Sequence, residues 1–215
     1  MTTAAMIPTH NRPDLLAACI AALAPQVSAL LVVDNASDPP AQIPRQDGLS
    51  IIRHPDQPPN MPVMWRLGLN WAAELGATYL ACVCDDVEVP AGWAQAVVSA
   101  MNATGAAAGS THPATPVPYL IVKTAPDSDL WGRMCPAAFM LRVGAVVPDP
   151  AMAWWWCDSD LDWQARAAGG MVIAPGPVAI NSQPNYWTMR RPELAAQAGA
   201  DGETFAAKWP GGRPW

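Results

Sequence analysis

A chain of 215 residues is long enough to bury the core of one α/β domain. Eighteen acids against twelve bases give a formal charge of −6, which works against unaided binding to a phosphate backbone and sets nucleic acid aside as a charge-driven partner. Five cysteines with no C-x-x-C pair and no histidine at zinc spacing read as reduced core residues of a cytoplasmic protein; no serine nucleophile elbow, G-x-G-x-x-G or phosphate-loop lysine is present.

In chain order, residues 1–7 are apolar and run into the turn-forming Pro8, Thr9, His10, Asn11, Arg12 and Pro13. Helix-like composition follows over 14–24, so the opening reads strand, loop, helix. The uncharged stretch 15–33 resembles a weak signal-peptide core, but Asp14 abuts it and Pro25, Gln26 and Ser28 interrupt it. A helix followed by a buried strand explains the same letters better, and no membrane span is expected. Residues 29–33 form that strand, stopped by Asp34, Asn35 and the polar residues after them. Residues 49–53 read as a third strand, 54–62 as a rigid loop with four prolines, and 64–76 as a helix with Trp65, Leu69 and Ala72 on one side and Arg66, Asn70 and Glu74 on another.

Residues 79–84 form a short uncharged run, bounded by Gly76 and Pro90, that reads as a strand buried on both faces. It ends in Asp85 and Asp86, at the sheet edge where ligands of open α/β folds collect. Two adjacent carboxylates there call for a cation or hydrogen-bond donors, or else form a strand-end turn. Alternating strands and helices up to Trp93 predict right-handed crossovers and a mostly parallel central sheet flanked by helices, with Thr9, Asp34 and Asp86 on one edge. Residues 93–101 continue as a helix, 105–129 read as loop or edge structure, and 137–143 as a strand. Trp154, Trp155 and Trp156 lead into an acidic helix start at Asp158 and Asp160, where an acid is either a cap or a catalyst. A short strand at 171–174 follows. Residues 1–187 make one domain and 188–215 a Pro-, Gly- and Trp-rich tail without clear period.

Four stretches carry a resemblance: Pro-Thr-His-Asn-Arg-Pro-Asp-Leu-Leu at 8–16, Leu-Val-Val-Asp-Asn-Ala-Ser-Asp at 31–38, Cys-Asp-Asp-Val-Glu-Val-Pro-Ala-Gly-Trp at 84–93, and Cys-Asp-Ser-Asp-Leu-Asp-Trp-Gln-Ala-Arg-Ala-Ala-Gly at 157–169. In this order they resemble the landmarks of family 2 glycosyltransferases with the GT-A fold. The resemblance implies a nucleoside-diphosphate sugar donor contacted by Pro8, Thr9, His10, Asn11, Arg12, Asp34, Asn35, Asn60, Arg66, Asp85 and Asp86. It implies Asp158 as the general base of an inverting transfer to an unidentified acceptor, and a divalent cation, Mn²⁺ or Mg²⁺, on Asp86 with Asn181 as a further ligand. Trp131 and Trp154 to Trp156 offer flat faces for the acceptor.

Two departures weaken the metal side. Cys84 stands where the family's first metal-motif acid is expected, and thiols are poor ligands for Mg²⁺ or Mn²⁺. Asn181 stands where many relatives place a His that can join the metal; apart from these, Cys157 replaces the acid before the base. These changes leave a non-catalytic nucleotide-sugar or glycan-binding module as the competing reading.

Overall fold

The computed structural model describes residues 2–55, 58–111, 117–122, 133–181 and 192–210. In chain order the elements are β1 (Thr3–Thr9), α1 (Pro13–Leu23), β2 (Ala29–Asp34), β3 (Leu49–Arg53), α2 (Met61–Glu74), β4 (Tyr79–Val83), β5 (Val87–Glu88), α3 (Trp93–Thr104), β6 (Ala108–Thr111), β7 (Tyr119–Ile121), β8 (Ala138–Arg142), α4 (Cys157–Ala167), β9 (Met171–Ala174), β10 (Ile180–Asn181) and α5 (Pro192–Lys208). Eight strands form one sheet in the order β3-β2-β1-β4-β8-β6-β9-β7. The run β3-β2-β1-β4 is parallel, β8 lies antiparallel between β4 and β6, β9 runs parallel to β6, and β7 closes the edge antiparallel to β9. A separate ribbon pairs β5 with β10.

The apolar strands are buried on both faces, as parallel strands between helices must be. Ala5, Ile7, Leu30 and Val32 face α1 and α3, where Leu16, Ile20, Trp93 and Val97 cover them. Met6, Leu31, Val33 and Leu80 face α2, through Met64, Trp65 and Leu69, in a layer that runs on into α4 and Phe205 of α5. Removing each of these large side chains from water is worth about 1.5–3 kcal/mol. No helix among the described residues is long and apolar enough to cross a membrane.

Two elements differ from the sequence expectation. The region expected to be loop or edge contains β6, an interior strand. Its Gly109 leaves the space that Met101 and Val97 of α3 occupy, since a Cβ there would lie 3.0 Å from both. A glycine chosen for close helix approach weakens the strand signal. The segment expected to be an aperiodic tail contains the 17-residue α5, whose Glu193 and Lys208 complement the helix dipole. Gly199 and Gly202 within it break the apolar period on which a helix reading depends.

Candidate active site

Parallel pairing brings the ends of β1, β2 and β4 to one edge. Thr9 is the register partner of Asp34, and the Thr9 hydroxyl donates to Asp85 Oδ2 at 2.8 Å. Arg12, at the start of α1, reaches back with Nη1 to Asp85 Oδ1 at 3.2 Å and Asp86 Oδ2 at 2.9 Å. The two carboxylates are thus drawn together around one guanidinium. Burial pushes the Asp85 carboxyl up from its ordinary value, against the pull of Thr9 and Arg12, while the acid pair raises Arg12 despite its own desolvation. Cys84 precedes the pair, and burial beside two carboxylates holds its thiol protonated, well above the ordinary range. Cys19 donates to the Cys84 carbonyl from α1 and is itself pushed up to about 12 by burial.

The loops after β1 and β2 are laced to each other. Asn35 N–H donates to the Thr9 carbonyl, Asn11 N–H to Ser37 Oγ, and Asp38 N–H to Asn11 Oδ1. The His10 Nδ1–H donates to the Asn35 carbonyl at 2.6 Å, leaving Nε2 to accept from Asn11 Nδ2. Asp34 lies beneath this lattice. Its carboxylate accepts from the Ser37 and Ala41 amides at 2.9 and 3.1 Å and from Arg53 Nη1 at 3.1 Å. Burial would raise its pKa, but the Ser37 and Ala41 bonds and Arg53 hold it below the ordinary value. Asp34→Ala is therefore expected to cost about 1–3 kcal/mol of stability by orphaning buried donors, besides any effect on a ligand. Urea unfolding measures it, and an unchanged midpoint would show that the loop holds without the carboxylate. A depressed pKa stabilises above the ordinary carboxyl value and loses that contribution as pH falls through the folded one, so the difference between parent and variant should shrink in acid.

The second half of the site is the turn entering α4. Trp156 has left-handed backbone, φ 64°, and the helix starts at Cys157. Asp158 is half-buried, and burial raises its carboxyl above the ordinary value although the Ser159 amide and its own amide partly offset this; the charge of Asp162 adds to the rise. Asp162, one turn on, accepts a bidentate pair from Arg166 at 2.8 and 3.0 Å and a bond from Met134 N–H. Asp160 points the other way, to Gln164, Lys208 and the Trp209 indole. Arg133, half-buried, lies in the fields of Asp158 and Asp162. The strand β8 that follows begins opposite Val83, with the Ala137 carbonyl accepting from Cys84 N–H. Residues 133–137 therefore lead from Asp162, one turn into α4, to Cys84, which precedes the Asp85–Asp86 pair.

The model of the family described as "Glycosyl transferase family 2" matches residues 4–144, well over half of the chain. The chain belongs to glycosyl transferase family 2. No curated protein matches it in sequence. Among solved structures it is similar to residues 1–349 of S. aureus TarS, at TM-score 0.62 and 9% identity, covering 96% of this chain and 70% of that one. The same fragment in complex with UDP gives TM-score 0.61 and 10% identity over the same shares. The glucosyl-3-phosphoglycerate synthase of Mycobacterium tuberculosis, in complex with Mn²⁺, UDP and glucosyl-3-phosphoglycerate, gives TM-score 0.59 and 13% identity over 97% of this chain and 80% of that one. The chain spans 42% of a longer TarS chain. At these identities the likeness establishes the GT-A fold.

Within this glycosyltransferase fold the expected residues fall into three groups. Thr9, Arg12, Asp85 and Asp86 meet directly, with Pro8, His10, Asn11, Asp34 and Asn35 beside or beneath them. Asn60 and Arg66 are occupied elsewhere: Asn60 caps α2 by accepting from Val63 N–H and donates to the Pro150 carbonyl, while Arg66 Nε donates to the Pro148 carbonyl at 2.6 Å. Both brace the connection from β8 to α4. Trp156 packs its ring on Phe205 at 5.3 Å, so it serves the α4–α5 contact instead of an open face. Trp154 and Trp155 are half-buried, and Trp131 lies outside the described residues.

The donor set for a cation is small. Among the described residues no three His, Cys, Asp or Glu side chains converge as a metal site. Asp86 supplies a carboxylate, and the β5–β10 register sets Asn181 opposite Val87, the next residue along. That set suits a hard cation only when a diphosphate brings further oxygens. Two residues escaped the sequence reading. Arg133 stood in the short run that precedes the strand expected at 137–143, and Asp201 is a single acid within a segment taken for a tail.

Proposed function

We propose that the chain transfers a sugar from a nucleoside-diphosphate donor to an acceptor hydroxyl with inversion, using Asp158 as the base. The observation that carries this reading is the meeting of Thr9, Arg12, Asp85 and Asp86 at the edge of β1 and β4, which the 133–137 segment connects to α4, where the half-buried Asp158 carboxyl is raised by burial above its ordinary value. UDP in complexes of two structural neighbours supports the class of donor, and Mn²⁺ in one of them supports a cation.

The acceptor oxygen attacks the anomeric carbon from the face opposite the diphosphate. Its proton passes to an Asp158 carboxylate oxygen, the new C–O bond forms, and the bond to the leaving phosphate oxygen breaks with its electron pair. Arg12 offers the departing diphosphate a fixed cation, already oriented by two carboxylates. A divalent ion, when bound, would be held by Asp86 with Asn181 and supply Lewis-acid charge at the same oxygens. The neutral thiols at Cys84 and Cys157 favour the second reading, a module that binds a nucleotide sugar without transfer. UDP release from UDP-sugars separates the two, because a binder releases none.

Titration with UDP tests the donor half. Asp86→Ala is expected to weaken UDP binding measured with Mn²⁺ by about 1.5–3 kcal/mol, roughly tenfold to a hundredfold, and to change it far less without metal. Equal affinity under both conditions would remove Asp86 from the donor site.

A further inference from the structure

We infer that Asp201 of α5 is a positioning residue for Asp158, acting through the Ala153–Trp154–Trp155 turn that delivers the base. The inference rests on the reading of Asp158 as the base.

Asp201 is fully buried, and its carboxylate gathers three successive backbone donors: Ala153 N–H on Oδ1 at 3.0 Å, and Trp154 N–H and Trp155 N–H on Oδ2 at 2.9 and 2.8 Å. Gln197 Nε2 adds a fourth bond to Oδ1 at 2.7 Å. Backbone donors turned toward one carboxylate form a concave anion site, which here is filled from within the chain. The turn is gripped on its other side by α2, since Met61 N–H donates to the Ala153 carbonyl. After these residues come the left-handed Trp156, Cys157 and then Asp158, so only two residues separate the pinned turn from the base.

Two more contacts restrict that short connection. The Cys157 thiol donates to the Trp154 carbonyl at 3.5 Å. Gly202, next to Asp201, admits the Trp156 ring against α5, for a Cβ there would lie 2.9 Å from its Nε1. With no slack between turn and helix, the orientation of the Asp158 carboxylate follows the placement of the turn. Displacements of the order of an ångström at a reacting group cost about a hundredfold in rate. Other ties between α5 and the body, Lys208 to Asp149 and Asp160, bypass the turn.

The test compares Asp201→Asn with Lys208→Met, which loosens α5 without touching the turn. Three quantities are read: amide exchange at Ala153, Trp154 and Trp155, the Asp158 carboxyl titration by NMR, and kcat and KM for UDP release from UDP-glucose. Asp201→Asn should speed exchange, move the Asp158 midpoint toward the ordinary carboxyl value, and lower kcat by about tenfold to a hundredfold at unchanged KM. Lys208→Met should lower the melting temperature alone. An unmoved Asp158 midpoint in Asp201→Asn, or the same shift in both variants, overturns the inference; the titration is read whether or not UDP-glucose is turned over. Parental UDP release by Asp158→Asn would instead sink the base assignment while leaving the titration result to stand.

Discussion

Asp158→Asn is expected to lower turnover by about two to four orders of magnitude while UDP affinity stays within about twofold. The substitution keeps the shape of the side chain and a carbonyl oxygen for the Ser159 amide, but it removes the group that takes the acceptor proton. The pH behaviour sharpens the expectation. Burial raises the Asp158 carboxyl above 3.8, so the parent loses its base as pH falls through that raised value, and the acid limb of its rate profile should sit above the ordinary carboxyl range. The same shift makes an independent claim about stability. An acid whose folded pKa is raised contributes stability that is full below its unfolded pKa and is lost as pH rises through the folded one. An asparagine cannot ionise, so the variant should melt no lower than the parent at neutral pH, with any gain vanishing in acid. A variant that transfers sugar at the parental rate returns Asp158 to the role of a helix cap. One that unfolds at neutral pH does the same.

The second large effect is structural. Asp162 and Arg166 form a bidentate pair with side chains only 5% and 2% exposed, and the same carboxylate lies in the field of Arg133. Asp162→Ala removes the anion from beside two desolvated guanidiniums. Breaking such a pair costs about 3–5 kcal/mol, a large share of the 5–15 kcal/mol that holds a domain folded. For a chain of this size the melting temperature should fall by roughly 6–20 °C. Replacing both partners, Asp162→Leu with Arg166→Met, should recover much of the loss, because it removes the buried charge together with its partner. A drop of less than about 2 °C for Asp162→Ala would show that water reaches the pair and carries its charge.

The convergence of Thr9, Asp34 and Asp86 on one edge was legible because the strand signals are local. Each strand there is a short apolar run that ends in a polar residue, and parallel pairing carries Thr9, Asp34 and Asp86 to one edge even though β1 and β4 meet across 76 residues. The separation of Asp158 and Asp162 from Asp160 was legible for the same reason, since helical period alone decides it. What the sequence hid depends on contacts between distant segments. Asn60 and Arg66 look like donor ligands by order along the chain, yet their partners are carbonyls at 150 and 148. Gly109 reads as a loop residue until α3 is laid across it, and Gly202 reads as a helix breaker until Trp156 fills its notch. Asp201 carries no pattern at all. Its meaning comes from three amides 46 to 48 residues earlier.

That span has a consequence for the order in which the molecule is made. Strands β1 to β4, with Arg12 and both acids, lie within the first 86 residues, although β1 and β4 meet across a span of 76 residues. The turn before α4 finds its carboxylate only when α5 emerges, more than a hundred residues later during synthesis. The nascent chain can therefore hold the Thr9–Arg12–Asp85–Asp86 cluster before the turn preceding α4 is fixed. Loss of α5 by local fraying would return the folded protein to that earlier stage, with the three amides of the turn released from Asp201.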